Sequence, residues 1–204
     1  MKDKIKMIRA EDAIRRILDI ISPLPLERVG ILTALGRVLG EDIAAGRDIP
    51  PRNNSSMDGY ALRSADTRGA SPTKPVVLRV LEDIPAGSVP RCTVAPGTAA
   101  RIMTGAPLPE GADAILRMED TEKDGDSVRI LVEVEKDNDV RFAGEDVRSG
   151  ELVIPRGSIV RPPEVGMLAA LGRAFVSVHQ RPIVAILATG DELVDIDEPA
   201  SPWK

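Results

Sequence analysis

Aromatic residues, cysteine and histidine are all scarce in this chain, and each shortage removes a class of function. Aromatic side chains are 2% of the 204 residues, namely one Trp, one Tyr and two Phe. Platforms for stacking nucleobases are therefore nearly missing, and the core has to be aliphatic. The single cysteine, Cys92, excludes an intrachain disulfide framework. The single histidine, His179, excludes a histidine-rich metal site and leaves a histidine-based triad unsupported. Both are read as structural, and Met57, Met103, Met118 and Met167 as core fillers. Positive charge is not in excess either. Lys and Arg number 27 against 32 Asp and Glu, a net charge of −5, whereas a binder of nucleic acid or anionic membrane needs a basic face. No apolar run approaches the ~20 residues that cross a bilayer. The charged start Met1-Lys2-Asp3-Lys4-Ile5-Lys6 lacks the apolar core and cleavage site of a secretory signal. A soluble, cytoplasmic chain with no nucleic-acid or membrane partner is expected.

Glycine and proline are plentiful at 17 each, which favours short elements and many turns over a helix bundle. Ala13, Ile14, Ile17, Leu18 and Ile21 recur at helical spacing, and Pro23 and Pro25 end that stretch. Val29, Leu32, Leu35 and Val38 suggest a second short helix before Gly40. From about residue 48 the character changes to a turn-rich stretch and then to β-like runs at 75–81, 99–103, 114–118 and 128–134, with Asp124-Gly125 as a hairpin signal. Helical character returns at 161–172, opened by Pro162-Pro163 and closed by Gly172. The near-continuous apolar run 182–188 reads as a strand buried on both faces, and Thr189-Gly190-Asp191-Glu192 as the turn into a helix, the opening of a doubly wound α/β fold. The expected fold class is therefore α+β multidomain. A helical domain (1–47 and 148–181) is interrupted by a β-rich inserted domain (48–147), and an α/β domain starts at 182–204.

Four segments carry possible chemistry. Asp58, in Asn53-Asn54-Ser55-Ser56-Met57-Asp58-Gly59, is either part of a polar turn or a cleft carboxylate that holds a metal or activates water. Thr104, before Gly105, either caps a turn or faces a ligand. Glu145 and Asp146 are adjacent, and alternation along a strand would let only one of them, taken as Asp146, line a cleft. Thr189 and Glu192 fit a capping box, and they also follow the carboxyl end of the expected strand, where open α/β sheets bind ligands.

The order of these segments is more specific than any one of them. Ser55-Ser56-Met57-Asp58-Gly59-Tyr60-Ala61, Arg101-Ile102-Met103-Thr104-Gly105-Ala106, Gly111-Ala112-Asp113-Ala114, Met118-Glu119-Asp120-Thr121, Gly144-Glu145-Asp146 and Thr189-Gly190-Asp191-Glu192-Leu193 together resemble the molybdopterin molybdotransferases, the MoeA/gephyrin E-domain family of molybdenum cofactor biosynthesis. The resemblance implies an elongated homodimer and a transferase that inserts molybdate into adenylylated molybdopterin, releasing AMP, with Mg²⁺. It implies Asp58, Thr104, Asp146 and Glu192 as catalytic residues, with Asp58, Asp146 and Glu192 as metal ligands. Ser56, Gly59, Gly105, Thr189, Gly190 and Asp191 are implied as cofactor-binding. Molybdopterin adenylyltransferase and other molybdenum-cofactor proteins are implied as partners. Members of the family are about twice as long, by the usual size of a domain, so the chain is expected to hold an N-terminal half that is inactive by itself. The rival expectation is a non-catalytic dimerisation or scaffold module.

Overall fold

The computed structural model describes residues 8–190, 193–197 and 199. They form two compact units. One is Asp42–Pro155, and the other is made by the segments on either side of it. Helix α1 (Ala10–Leu18) and strand β1 (Leu26–Gly30) come first. The inner unit contains β2 (Ile43–Ala44), β3 (Asn54–Ser55), β4 (Gly59–Leu62), β5 (Val76–Ile84), β6 (Thr98–Ile102), β7 (Ala114–Arg117), β8 (Thr121–Asp124), β9 (Ser127–Ile130), β10 (Val140–Arg141) and β11 (Leu152–Ile154). Helix α2 (Pro162–Ala170) and strand β12 (Phe175–His179) follow. The chain is mostly β with few helices.

The inner unit is organised by a six-stranded sheet in the order β7-β4-β6-β5-β9-β8. Only β5 and β6 run parallel, and the other neighbours are antiparallel. Successive side chains on a strand point to opposite faces, and here both faces are covered. Tyr60, Leu62, Leu78, Ala99, Leu116, Val128 and Ile130 pack on one side. Ala61, Ile84, Val94, Ala100, Ile102 and Ile115 pack on the other. The core is aliphatic apart from Tyr60, as the shortage of aromatics requires. The strands β8 and β9 form a hairpin in which Asp124 pairs with Ser127, and Gly125 takes φ 58° in the two-residue turn.

Gly59 shows how tightly the sheet is built. It opens β4 between β6 and β7, and a Cβ placed there would lie 2.0 Å from the carbonyl oxygen of Leu116. Backbone cannot yield to that contact as a flexible side chain could, so only glycine lets the three strands approach.

In the outer unit β1 and β12 pair antiparallel. The α2 termini follow their sequence signals. Pro162 and Pro163 occupy the first turn, the Glu164 carboxylate accepts from the Arg161 amide at 2.9 Å, and the Arg161 guanidinium pulls that carboxyl down to about 2. At the other end Gly172 takes φ 72°, and the amides of Gly172 and Arg173 donate to the carbonyls of Ala169 and Leu168, closing a Schellman turn.

Three expectations need correction. Residues 29–38 are not helical. The helical spacing of Val29, Leu32, Leu35 and Val38 is genuine, but Gly30 and Gly36 interrupt it, Gly36 sits at φ 76°, and β1 is claimed by β12. Among the described residues the outer unit thus holds two short helices and a strand pair rather than a helical layer. The run 182–188 forms no strand, and Ile183, Val184, Ile186 and Leu187 are exposed. A parallel strand buried on both faces needs flanking strands and covering helices, and no other described segment supplies them. The apolar stripe of α1 exists but is uncovered, with Ile14, Ile17 and Leu18 exposed at 57%, 55% and 62%. Among the described residues no helix is long and apolar enough to cross a membrane.

Gly59→Ala should lower stability by about 1–3 kcal/mol, the range for overfilling a packed site. Gly46→Ala, where a new Cβ meets nothing within 4 Å, should leave it nearly unchanged. Urea unfolding midpoints at constant slope measure both.

Candidate functional site

Sheet register brings two of the candidate segments together. In the antiparallel pair of β4 and β6, Gly59 stands opposite Ile102. Asp58 therefore leaves one strand end beside Thr104, which leaves the other. The contact is direct: the Thr104 amide donates to Asp58 Oδ1 at 2.8 Å, and its hydroxyl donates to the same oxygen at 2.7 Å. These donors, the amide foremost, hold the Asp58 carboxyl below the usual aspartate range, and the Arg101 charge adds to them. The second oxygen, Oδ2, has no protein donor among the described residues. The Asp58 carbonyl accepts from the Met118 amide at 3.1 Å.

The rest of the turn is held as firmly. Ser55 exchanges backbone bonds with the 105–106 segment, and its hydroxyl bonds the Met57 carbonyl at 2.5 Å. The Ser56 amide and hydroxyl both donate to the Asp139 carbonyl, at 3.0 and 2.9 Å. Gly105 takes φ 82° with open space around it, so its exposed backbone is accessible.

Asp58 and Thr104 line a cleft of about 550 Å³ together with Met57, Arg117, Glu119 and Asp120. Four of these six were not expected as site residues. Arg117 was findable only from register, since it stands opposite Gly59 across β4 and β7. Glu119 and Asp120 follow in the short helical turn Met118–Asp120. Met57 is exposed at the rim rather than a core filler.

None of the other expected residues is among those lining this cleft. Asp146 does not line this cleft. Its Oδ2 accepts from Arg141 Nη2 at 2.6 Å, while Arg141 Nε donates to Glu145 at 2.5 Å. Adjacent carboxylates were expected to diverge along a strand, but they converge on one guanidinium. Gly144, at φ 70°, breaks the extended run, so strand alternation does not apply. Gly59 is buried inside β4, where packing against Leu116 accounts for it without any ligand. Ser56 spends its hydroxyl on Asp139. Thr189 and Gly190 belong to the other unit and lie in no helix or strand, and Asp191 and Glu192 lie outside the described residues. Among the described residues no group of three His, Cys, Asp or Glu side chains could hold a metal ion; of the expected ligands Asp58, Asp146 and Glu192, only Asp58 lines the cleft and Glu192 lies outside the described residues.

Residues 8–172 match the family model for the MoeA N-terminal region, domains I and II. The chain belongs to that family. It is 46% identical over 174 residues to molybdopterin molybdenumtransferase 2 of Mycobacterium tuberculosis, covering 85% of this chain and 43% of the relative. It is 37% identical over 196 residues to the molybdopterin molybdenumtransferase of Staphylococcus aureus, covering 96% of this chain and 47% of that protein. The chain thus spans less than half the length of these curated relatives. Among solved structures, a molybdopterin biosynthesis MoeA protein from Pyrococcus horikoshii superposes with a TM-score of 0.80 at 40% identity, over 85% of this chain and 46% of that one. The MoeA-like fold and the resemblance read from the motif order are both borne out.

One electrostatic feature near the cleft has a definite pH signature. The Arg117 guanidinium, hydrogen-bonded to Asp139, holds the Asp139 carboxyl below its ordinary value of 3.8. A depressed carboxylate stabilises the fold at pH values above the unfolded value, and that contribution is lost as pH falls through the folded value. Asp139→Asn should therefore lose less stability than the parent chain between pH 7 and about pH 3, in paired urea titrations at the two pH values.

Proposed function

We propose that this chain works in molybdenum cofactor biosynthesis as one half of a molybdopterin molybdotransferase, inserting molybdate into adenylylated molybdopterin with release of AMP. The observation that carries the reading is the Asp58 carboxylate, fixed through one oxygen by both Thr104 donors at the lip of a cleft, with its other oxygen left over. Asp58 is ionised and preorganised, and Thr104 orients it. Mg²⁺ needs only one or two protein carboxylates when substrate phosphates complete its shell, and Asp58 Oδ2 suits that use. Bound there, the cation would offset the negative charge of phosphates and molybdate. Asp146, tied to Arg141, and Glu192 complete the proposed catalytic set.

Charge argues that the cleft is only part of the active centre. Asp58, Glu119 and Asp120 repel anions, and the guanidinium of Arg117 is taken by Asp139. An anion cradle of Lys, Arg or helix amides has to come from residues beyond this cleft, in the part of the relatives' length that this chain does not span. A homodimer fits this arrangement, with the Asp58 side and the Glu192 side contributed by different subunits. Molybdopterin adenylyltransferase fits as the partner that hands over the adenylylated substrate.

A second reading is favoured by one observation, the uncovered apolar face of α1 with Ile14, Ile17 and Leu18. On that reading the chain is a dimerisation or scaffold module without catalysis. The test is complementation: the 204-residue chain mixed with the C-terminal half of a relative, assayed for molybdate insertion. Activity from the mixture, none from the chain alone, and loss of at least ~100-fold with Asp58→Ala, the usual scale for a metal-positioning group, are the expected results. Stable dimers without rescue would favour the scaffold, and turnover by the chain alone would overturn the half-site reading.

A further inference from the structure

Arg117 ends β7 at the cleft, but its guanidinium is fully engaged on one edge. Nε donates to Asp139 Oδ2 at 2.8 Å and Nη2 to Oδ1 at 3.1 Å. Such a fork is planar and directional, so it fixes orientation as well as distance. Asn138 Nδ2 supports it by donating to Asp139 Oδ2 at 3.2 Å and to the Ile115 carbonyl at 2.7 Å. The Asp139 side chain is only 14% exposed. Its backbone sits at φ 52°, in the left-handed region, where its carbonyl receives both the amide and the hydroxyl of Ser56. Ser56 is two residues before Asp58. A continuous path thus runs from Arg117 through the Asp139 carboxylate and carbonyl to the turn that carries Asp58.

We propose that Arg117 and Asp139 are positioning residues that hold the Ser56–Asp58 turn in register with Thr104. The proposal rests on the reading of Asp58 as the working carboxylate. Left-handed backbone is costly for most residues and easiest for Gly, Asn and Asp. At position 139 the chain uses a residue that tolerates the conformation and also offers a carboxylate for the fork. The Nε–Nη2 edge of Arg117 is spent on Asp139, so that carboxylate orients the guanidinium and offsets its charge.

Native-state amide hydrogen exchange of the ¹⁵N-labelled 204-residue chain tests this without any turnover, so a failed complementation leaves the result readable. Asp139→Asn keeps the backbone preference and removes the charge, and Arg117→Met removes the fork. Both should speed exchange at the Ser56 and Thr104 amides roughly tenfold, the scale of one lost charge-assisted hydrogen bond. The Val80 amide, which bonds Asp126 in the sheet, should keep its rate, and Arg117→Lys should restore part of the protection. Unchanged Ser56 and Thr104 rates would overturn the proposal, as would an equal acceleration at Val80, which marks a merely global loss of stability. Inorganic phosphate that shifts the Arg117 Nε resonance and loosens Ser56 in the parent chain would make Arg117 an anion receptor and also overturn it.

Discussion

Two donors from one residue, the amide and hydroxyl of Thr104, meet on a single oxygen of Asp58, and the candidate site depends on that contact. It holds the carboxylate charged, fixes its rotation and leaves one oxygen available. Nothing local in sequence makes it, since the two residues are 46 positions apart. It exists because β4 and β6 are paired with Gly59 opposite Ile102, and a slip of one residue would turn every side chain to the other face and part the two groups.

The sheet therefore serves the site through its register, and its packing serves the register. Small residues in β4, β6 and β7, Ala61, Ala99, Ala100 and Ala114, let aliphatic layers close over both faces. Gly59 removes the last obstacle to the approach of β7. Once β7 is in place, Arg117 falls beside Asp58 and its fork to Asp139 reaches back to the same turn. Sheet and cleft are thus one construction, in which a core aliphatic but for Tyr60 sets the position of a polar rim.

Much of this was legible beforehand because the signals are local. The strands at 76–84, 98–102 and 114–117, the hairpin turn at Gly125 and the proline-opened, glycine-closed helix α2 follow from spacing and turn chemistry. So do Asp58 and Thr104 as candidates, through the order of the motifs. What failed was non-local. Residues 29–38 have helical spacing, yet two glycines and the demand of β12 for a partner outweigh it. The run 182–188 has the composition of a buried strand but no described neighbours to bury it. Strand alternation does not separate Glu145 from Asp146, because Gly144 takes that stretch out of strand geometry, and Arg117 is visible only once β7 is known to flank β4.

Thr104 acts on the site through Asp58, and a double-mutant cycle tests that coupling most directly. Urea unfolding midpoints would be compared for the parent chain, Thr104→Val, Asp58→Ala and the double variant. Removing the Thr104 hydroxyl should lower the midpoint only while Asp58 is present, so the double variant should unfold where Asp58→Ala does. Equal and additive effects in both backgrounds would contradict it, because the two side chains would then contribute independently.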